Sequence, residues 1–371
     1  MLTLDEAGLN LADVAAEARR RLEPAHWDFF AGGAGGERTV RANEAAYTRR
    51  WVVPRVLRGT GERDLRICLL GEPVSMPVLV APTAFHRLAH PDGEVATARA
   101  AAEAGTVMVV SMAATRGVEE IAAAGGRLWF QLYPQPDLEF TAAVVRRAEA
   151  AGCRALVVTV DSPVFGRRER DLRHGFVELP PGLACENMRD TDGRVRSIEM
   201  DAGLGWERIA WLRGITSLPI LLKGVLHPAD ARLAVAHGVD GLLVSNHGGR
   251  QLDGALATLD ALPGIVAAVG GRLPVLVDGG VRRGTDVLVA LALGATAVLV
   301  GRPVLWGLAV GGAAGVRHVL DLLRADLDRA LALAGAARPA DLGPDLVAGP
   351  DLVAGPDLVA GCGPVATVVG A

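Results

Sequence analysis

Eight short apolar runs recur along the chain, at 77–82, 107–112, 128–133, 155–161, 219–225, 241–246, 274–279 and 297–301, each closed by glycine, proline or a polar turn. They are rich in Val and Leu without strict alternation, the pattern of strands covered on both faces. Segments with helical spacing fall between and after them, at 93–104, 118–124, 138–151, 229–237, 259–269, 284–293 and 315–334. Strand and helix in alternation predict βαβ units around a parallel sheet, and eight such strands predict an α/β fold, a closed (β/α)8 TIM barrel. The competing arrangement is an open doubly wound sheet, but no Gly-x-Gly-x-x-Gly opens an early strand-to-helix turn.

The same pattern predicts a single domain over 1–371, with an N-terminal helical cap at 1–75, the barrel at 76–336 and a tail at 337–371. Within the cap, 11–22 and 24–30 read as helices and 65–71 as a small strand. The polar, Pro/Gly-rich stretch 171–205, after the fourth strand, is long for a connection inside a barrel and reads as a lid. Gly-Pro-Asp-Leu-Val-Ala occurs three times between 343 and 360, and this tandem repeat reads as a flexible or crystal-ordered extension without chemistry.

Composition narrows the function classes. A net charge of -4 provides no basic field for nucleic acid or an anionic membrane. Acids in the first ten residues argue against a secretory signal, and the apolar runs read as too short and too Gly-interrupted to span a bilayer, so a cytoplasmic location is expected. Cys68, Cys153, Cys185 and Cys362 lie far apart, which suggests neither a metal site nor a disulfide framework. Among 38 basic residues Lys223 is the only lysine, as though an ammonium were required there.

The chemistry gathers at strand ends. Directly after the run 241–244 stands Ser245-Asn246-His247-Gly248-Gly249-Arg250-Gln251-Leu252-Asp253-Gly254. His247 is a proton acceptor suited to neutral pH, and Arg250 offers a planar fork for a carboxylate. A plain strand-ending turn is the bland alternative. Asp161 is placed to orient His247 and charge-stabilise it, and Arg168 to join Arg250 in holding a substrate carboxylate, although Arg167 or Arg168 as a solvated loop charge stays open. Residues 278–284 open a helix and Gly301-Arg302-Pro303 follows the last strand, so backbone N–H groups with Arg282 and Arg302 form a candidate phosphate cradle. Pairing of these arginines with acids at a subunit contact is the structural alternative. A phosphate anchor, a base, a carboxylate clamp and one buried cation together suit a phosphorylated organic electron acceptor oxidising a 2-hydroxy acid.

These blocks resemble the FMN-dependent 2-hydroxy acid oxidases and dehydrogenases, such as the glycolate and lactate oxidases, mandelate dehydrogenases and hydroxymandelate oxidases. The resemblance runs from Leu11 to Gly335 and rests on residues 245–253, with 81–84, 90–91, 130–133, 159–163, 166–168, 223–224, 278–286 and 301–303 in order around them. It implies FMN as cofactor, His247 as base, Asp161 as its partner, and Tyr133, Arg168 and Arg250 as substrate binders. It also implies Lys223 at flavin N1, Ser111, Gln131 and Thr159 against the ring, and Asp278, Gly280, Arg282, Gly301 and Arg302 at the ribityl chain and phosphate. Ala81, Pro82, Thr83 and Ser245 complete the expected cofactor set. No metal is expected, oxygen is the expected electron acceptor, and a homotetramer or octamer is the implied assembly.

Two departures bear on substrate. Phe29 stands where many members carry a Tyr that touches the substrate carboxylate, and Ala113 stands where small-substrate oxidases carry a Trp. A missing indole opens room for a bulky or aromatic side chain, so a mandelate-like L-2-hydroxy acid is expected. A same-family dehydrogenase passing electrons to a quinone or carrier, a Schiff-base barrel built on Lys223 (pyridoxal phosphate or aldolase) and a barrel that only binds its ligand are the alternatives.

Overall fold

The computed structural model describes residues 8–349. Its centre is a closed, all-parallel barrel of eight strands. The strands are β1 (Val78–Val80), β2 (Val107–Ser111), β3 (Arg127–Leu132), β4 (Leu156–Thr159), β5 (Ile220–Lys223), β6 (Gly241–Val244), β7 (Val275–Asp278) and β8 (Ala297–Val300). Each strand falls on one of the apolar runs read from the sequence, with β3 starting one residue earlier, at Arg127. β8 pairs back onto β1 through Val298 opposite Val78, which closes the ring.

Continuous apolar runs are needed because both faces of every strand are buried. Leu79, Val107, Val109, Trp129, Val157, Leu221, Leu243, Leu276 and Leu299 fill the barrel interior. Their neighbours along each strand, such as Val80, Met108, Val110, Phe130, Leu156, Val158, Leu222 and Val244, meet the surrounding helices. Each fully buried Val or Leu contributes roughly 1.5–3 kcal/mol relative to exposure. The expected single strand at 65–71 is one arm of a hairpin, Ile67–Leu69 with Glu72–Val74, and Leu69 and Val74 join the interior cluster.

The N-terminal segment supplies three helices, α1 (Leu11–Arg21), α2 (Pro24–Ala31) and α3 (Arg38–Thr48). Asn10 caps α1 by accepting from Ala12 N and Asp13 N, and Pro24 starts α2. The hydrophobic pattern does not announce α3, whose start is capped from a distance: Asp253 Oδ1 accepts from Thr39 N at 2.9 Å. Burial works against the Asp253 charge, yet N–H groups of Thr39, Gly254, Gly36 and Arg38 hold its carboxyl below the usual carboxylate range.

Several expectations need correction. The last helix runs Arg302–Ala334 rather than beginning at 315, because residues before the kink at Gly311 and Gly312 are already helical. Among the described residues it is also one segment long and apolar enough to cross a membrane, contrary to the reading that no run is; most of it is buried against the barrel and α1. The first tail repeat is folded: Val347–Ala348 pairs antiparallel with Trp51–Val52, and Leu346, Val347 and Ala348 are buried. The later repeats and Cys362 lie outside the described residues. In the expected lid, Glu169–Arg173 leads in as a short helix and Glu186–Met188 forms a 3-10 turn.

Candidate active site

A cavity of about 930 Å³ opens at the C-terminal ends of the strands, roofed by part of the segment 171–205. It is lined by Ala81, Pro82 and Thr83 after β1, Ser111 at the end of β2 with Ala113 just after it, Tyr133 after β3 and Lys223 at the end of β5. His247 and Arg250 follow β6, Asp278, Gly280 and Arg282 follow β7, and Gly301 and Arg302 follow β8. Phe29 from α2 and Arg168 from the lid approach complete the wall. Asp161, Gln131, Thr159 and Ser245 stand behind it and act on the lining through hydrogen bonds.

His247 is the junction of those bonds. Its Nδ1 lies 3.1 Å from Asp161 Oδ1 and its Nε2 lies 3.3 Å from the Tyr133 hydroxyl, so the carboxylate holds one ring nitrogen and leaves the other facing the cavity. Its backbone is left-handed at φ 59, and His247 N donates to Ser245 Oγ at 3.1 Å. Burial, with Lys223 and Arg250 nearby, draws the His247 pKa below 6.5 although Asp161 pulls the other way. Burial opposes ionisation of Asp161, but His247 and Lys223 outweigh it and hold that carboxyl at about 2.

Ser111, Gln131 and Thr159 form a buried chain, Ser111 Oγ donating to Gln131 Oε1 and Gln131 Nε2 to Thr159 Oγ1, both at 3.1 Å. Thr83 Oγ1 lies 2.7 Å from Nε2 of the buried His86. Lys223 Nζ is 3.9 Å from Asp278 Oδ2, which also accepts from Ser245 Oγ at 2.9 Å.

The arginines are engaged in ways their sequence positions do not reveal. Arg250 Nη1 donates to the carbonyls of Phe29 at 2.6 Å and Gly32 at 2.9 Å. Arg302 donates from Nε to Phe30 O and Ala31 O, from Nη1 to Gly248 O and from Nη2 to Gly32 O. Burial pulls Arg250 down to about 9 and Arg302 to about 10, helped by neighbouring arginines. Arg282 pairs with Glu44 at 2.8 Å and lies over the Trp306 ring. Arg168 pairs with Asp171 at 3.1 Å and, like Arg250, sits over the Phe29 ring.

The structure adds residues that the pattern reading passed over. Phe85, Phe176, Leu179 and Leu183 pack with Phe29 into an apolar cluster beside Ala113. Asn43 on α3 braces the loop that carries His247. No local sequence signal marks α3, because the acceptor at its start is Asp253, 214 positions along the chain.

A family model described as FMN-dependent dehydrogenase matches residues 18–349. The chain belongs to that family. Among curated relatives, an L-lactate oxidase of Nostoc sp. is 46% identical over 359 residues, covering 92% of this chain and 98% of its own. Glycolate oxidase 1 of Zea mays is 47% identical, covering 90% and 94%, and 2-hydroxyacid oxidase 2 of Rattus norvegicus is 46% identical, covering 91% and 97%. The crystal structure of a mandelate oxidase with 3,3-difluoro-2-hydroxy-3-phenylpropionic acid superposes with a TM-score of 0.85 at 47% identity, covering 90% of this chain and 97% of that one. The enzyme is thus an FMN-dependent oxidoreductase of the 2-hydroxy acid oxidase group, and FMN, rather than pyridoxal phosphate or a Lys223 imine, is its cofactor.

The chemistry of the cavity suits FMN. Asp278 Oδ1 is buried without a hydrogen-bond partner, an acceptor that a ribityl hydroxyl would satisfy. Gly279 and Gly280 have φ of 91 and 87, and a Cβ at Gly280 would come within 2.2 Å of Asn43 O, so the turn beside Asp278 stays bare backbone. Arg282 and Arg302 line the same end, where a phosphate would meet two guanidinium groups.

Proposed function

We propose that this FMN-dependent oxidase acts on an L-2-hydroxy acid with a bulky or aromatic side chain, of the mandelate type, and passes the electrons to oxygen. The observation that carries the substrate assignment is Ala113, which lines the cavity beside the apolar group of Phe29, Phe85, Phe176, Leu179 and Leu183. An alanine there leaves space, and the surrounding side chains reward an apolar occupant. The lid segment contributes Phe176, Leu179 and Leu183 to that wall, with Asp171, Glu178, Arg196 and Ser197 elsewhere on the same cavity lining. Solved mandelate oxidases with phenyl-bearing acids, one of them with benzoyl-formic acid, are among the structures this fold matches at a TM-score of 0.85.

In this reading His247 Nε2 takes the hydroxyl proton of the substrate. Burial and the nearby Lys223 lower its pKa and so favour the neutral ring, whose Nε2 is free to accept. Asp161 then stabilises the imidazolium that forms, through the 3.1 Å contact to Nδ1. Arg250 and Arg168 hold the substrate carboxylate, and the Tyr133 hydroxyl, whose pKa burial pushes up, stays protonated as a donor beside them. Lys223 supplies a fixed buried cation where negative charge develops. Bound FMN supplies the acceptor for the electron pair leaving the α-carbon. Asp278, Gly280, Gly301, Arg282 and Arg302 hold the cofactor at one end, with Ala81, Pro82, Thr83, Ser111, Gln131, Thr159 and Ser245 around the rest.

The test is optical. Purified enzyme under argon is mixed with mandelate and then exposed to air; the flavin absorbance is expected to bleach and return. Faster bleaching by glycolate than by mandelate would overturn the substrate assignment, and bleaching that air reverses only slowly, but a quinone reverses at once, would overturn oxygen as the acceptor.

A further inference from the structure

Asn43 lies outside the barrel, on α3, and its side chain is 2% exposed. It exchanges two amide hydrogen bonds with Asn246: its Nδ2 donates to Asn246 Oδ1 at 2.8 Å, and Asn246 Nδ2 donates to its Oδ1 at 2.7 Å. Around this pair three more bonds complete both Oδ1 acceptors and the Asn246 amide donor. Gly249 N donates to Asn246 Oδ1 at 3.1 Å, Asn246 Nδ2 donates to Leu256 O at 3.1 Å, and Thr258 N donates to Asn43 Oδ1 at 3.3 Å. The pair therefore clamps the turn in which His247 adopts its left-handed backbone, a conformation that a residue with a Cβ keeps only when its surroundings enforce it.

The same residue meets the next loop. Gly280 approaches Asn43 O so closely that a Cβ would stand 2.2 Å away, and a Cβ at Gly279 would stand 3.0 Å from Asn43 Nδ2. One side chain and its own carbonyl thus contact the loop of the base and the turn of Asp278.

We propose that Asn43 is a positioning residue that holds the His247 loop through its side-chain amide and packs that amide and its own carbonyl against the Gly279–Gly280 turn, so that base geometry and cofactor affinity depend on one residue of the N-terminal segment. This rests on the reading of His247 as the base. An imide-like pair of buried amides tolerates no substitute of different length or donor pattern, because each lost bond strands its partner.

The experiment compares Asn43→Ala in the parent and in a His247→Gln background. Two quantities are read: the rate of anaerobic flavin reduction by mandelate, and the FMN dissociation constant from fluorescence titration of the apoprotein. Asn43→Ala is expected to slow reduction between about 10- and 100-fold in the parent, the scale of a misplaced reacting group. In the His247→Gln background it is expected to change the rate by less than about twofold, since the effect passes through His247. FMN affinity is expected to weaken several-fold in both backgrounds. Equal rate losses in the two backgrounds, or unchanged FMN affinity, would overturn the proposal. If His247→Gln alone left reduction intact, the base assignment would fail while the affinity readout still judged the role of Asn43 at the cofactor turn. Should Asn43→Ala not fold, Asn43→Ser, whose hydroxyl is too short to reach Asn246, is expected to give the same two signatures; parental values there would overturn the proposal.

Discussion

Arg250 and Arg302 donate to one and the same oxygen, the carbonyl of Gly32, at 2.9 and 2.8 Å. With Phe29, Phe30 and Ala31 also accepting, the C-terminal end of α2 presents its free carbonyls to both guanidinium groups. The negative end of a helix dipole thereby offsets part of the cost of burying two like charges close together. α2 is in this sense the counterion of the carboxylate clamp.

Arg250→Lys is expected to break this arrangement. One ammonium cannot reach Phe29 O and Gly32 O while also presenting a planar fork to a carboxylate. The loss in kcat/KM for mandelate should correspond to about 1.5–3 kcal/mol, the worth of a charge-assisted bond, with KM rising. Steady-state kinetics check this; unchanged KM and kcat would contradict the clamp role.

The pH dependence follows from His247. Burial draws its pKa down from the ordinary histidine value, and a base works in its neutral form, so kcat/KM should rise with pH along an acidic limb lying lower than that of a free histidine. Asp161 is the group that raises the His247 pKa, so Asp161→Asn should move the acidic limb to still lower pH while depressing the plateau on the order of 10²-fold. An acidic limb displaced upward would contradict the pairing. His247→Gln should keep bound flavin and lose roughly 10²–10⁴-fold in its reduction, read by stopped-flow absorbance.

Ala113→Trp is expected to refill the side-chain space. Its effect should be to reverse preference, lowering kcat/KM for mandelate while sparing glycolate, with the ratio changing on the order of 10-fold or more. A parallel loss on both substrates would mean that the indole disturbs the site rather than the side-chain pocket.

Gly280→Ala places a Cβ 2.2 Å from Asn43 O at a φ of 87. Such strain typically costs about 1–3 kcal/mol. A lower Tm and weaker FMN retention are expected, measured by thermal melting and by flavin content after dialysis. Wild-type values for both would show that the turn has room the close contact denies.

The eight strands were legible in the order of residues because a strand buried on both faces must be apolar throughout, and that demand is local. The candidate site was legible for the same reason: barrel catalytic groups stand just past strand ends, so His247, Lys223 and Asp278 could be placed by counting from apolar runs. Substrate and cofactor class came from their residue types. What the linear pattern could not reveal is carried by contacts between distant segments. α3 is capped by Asp253, Asn43 meets Asn246 across 203 positions, and Arg302 spends its donors on carbonyls of α2 some 270 residues earlier. The start of the last helix at Arg302 and the docking of the first tail repeat on Trp51–Val52 belong to the same class. Hydrophobic periodicity specifies which face each segment must bury, whereas the partner of a buried polar group is specified only once the barrel has closed and brought its two ends of sequence together.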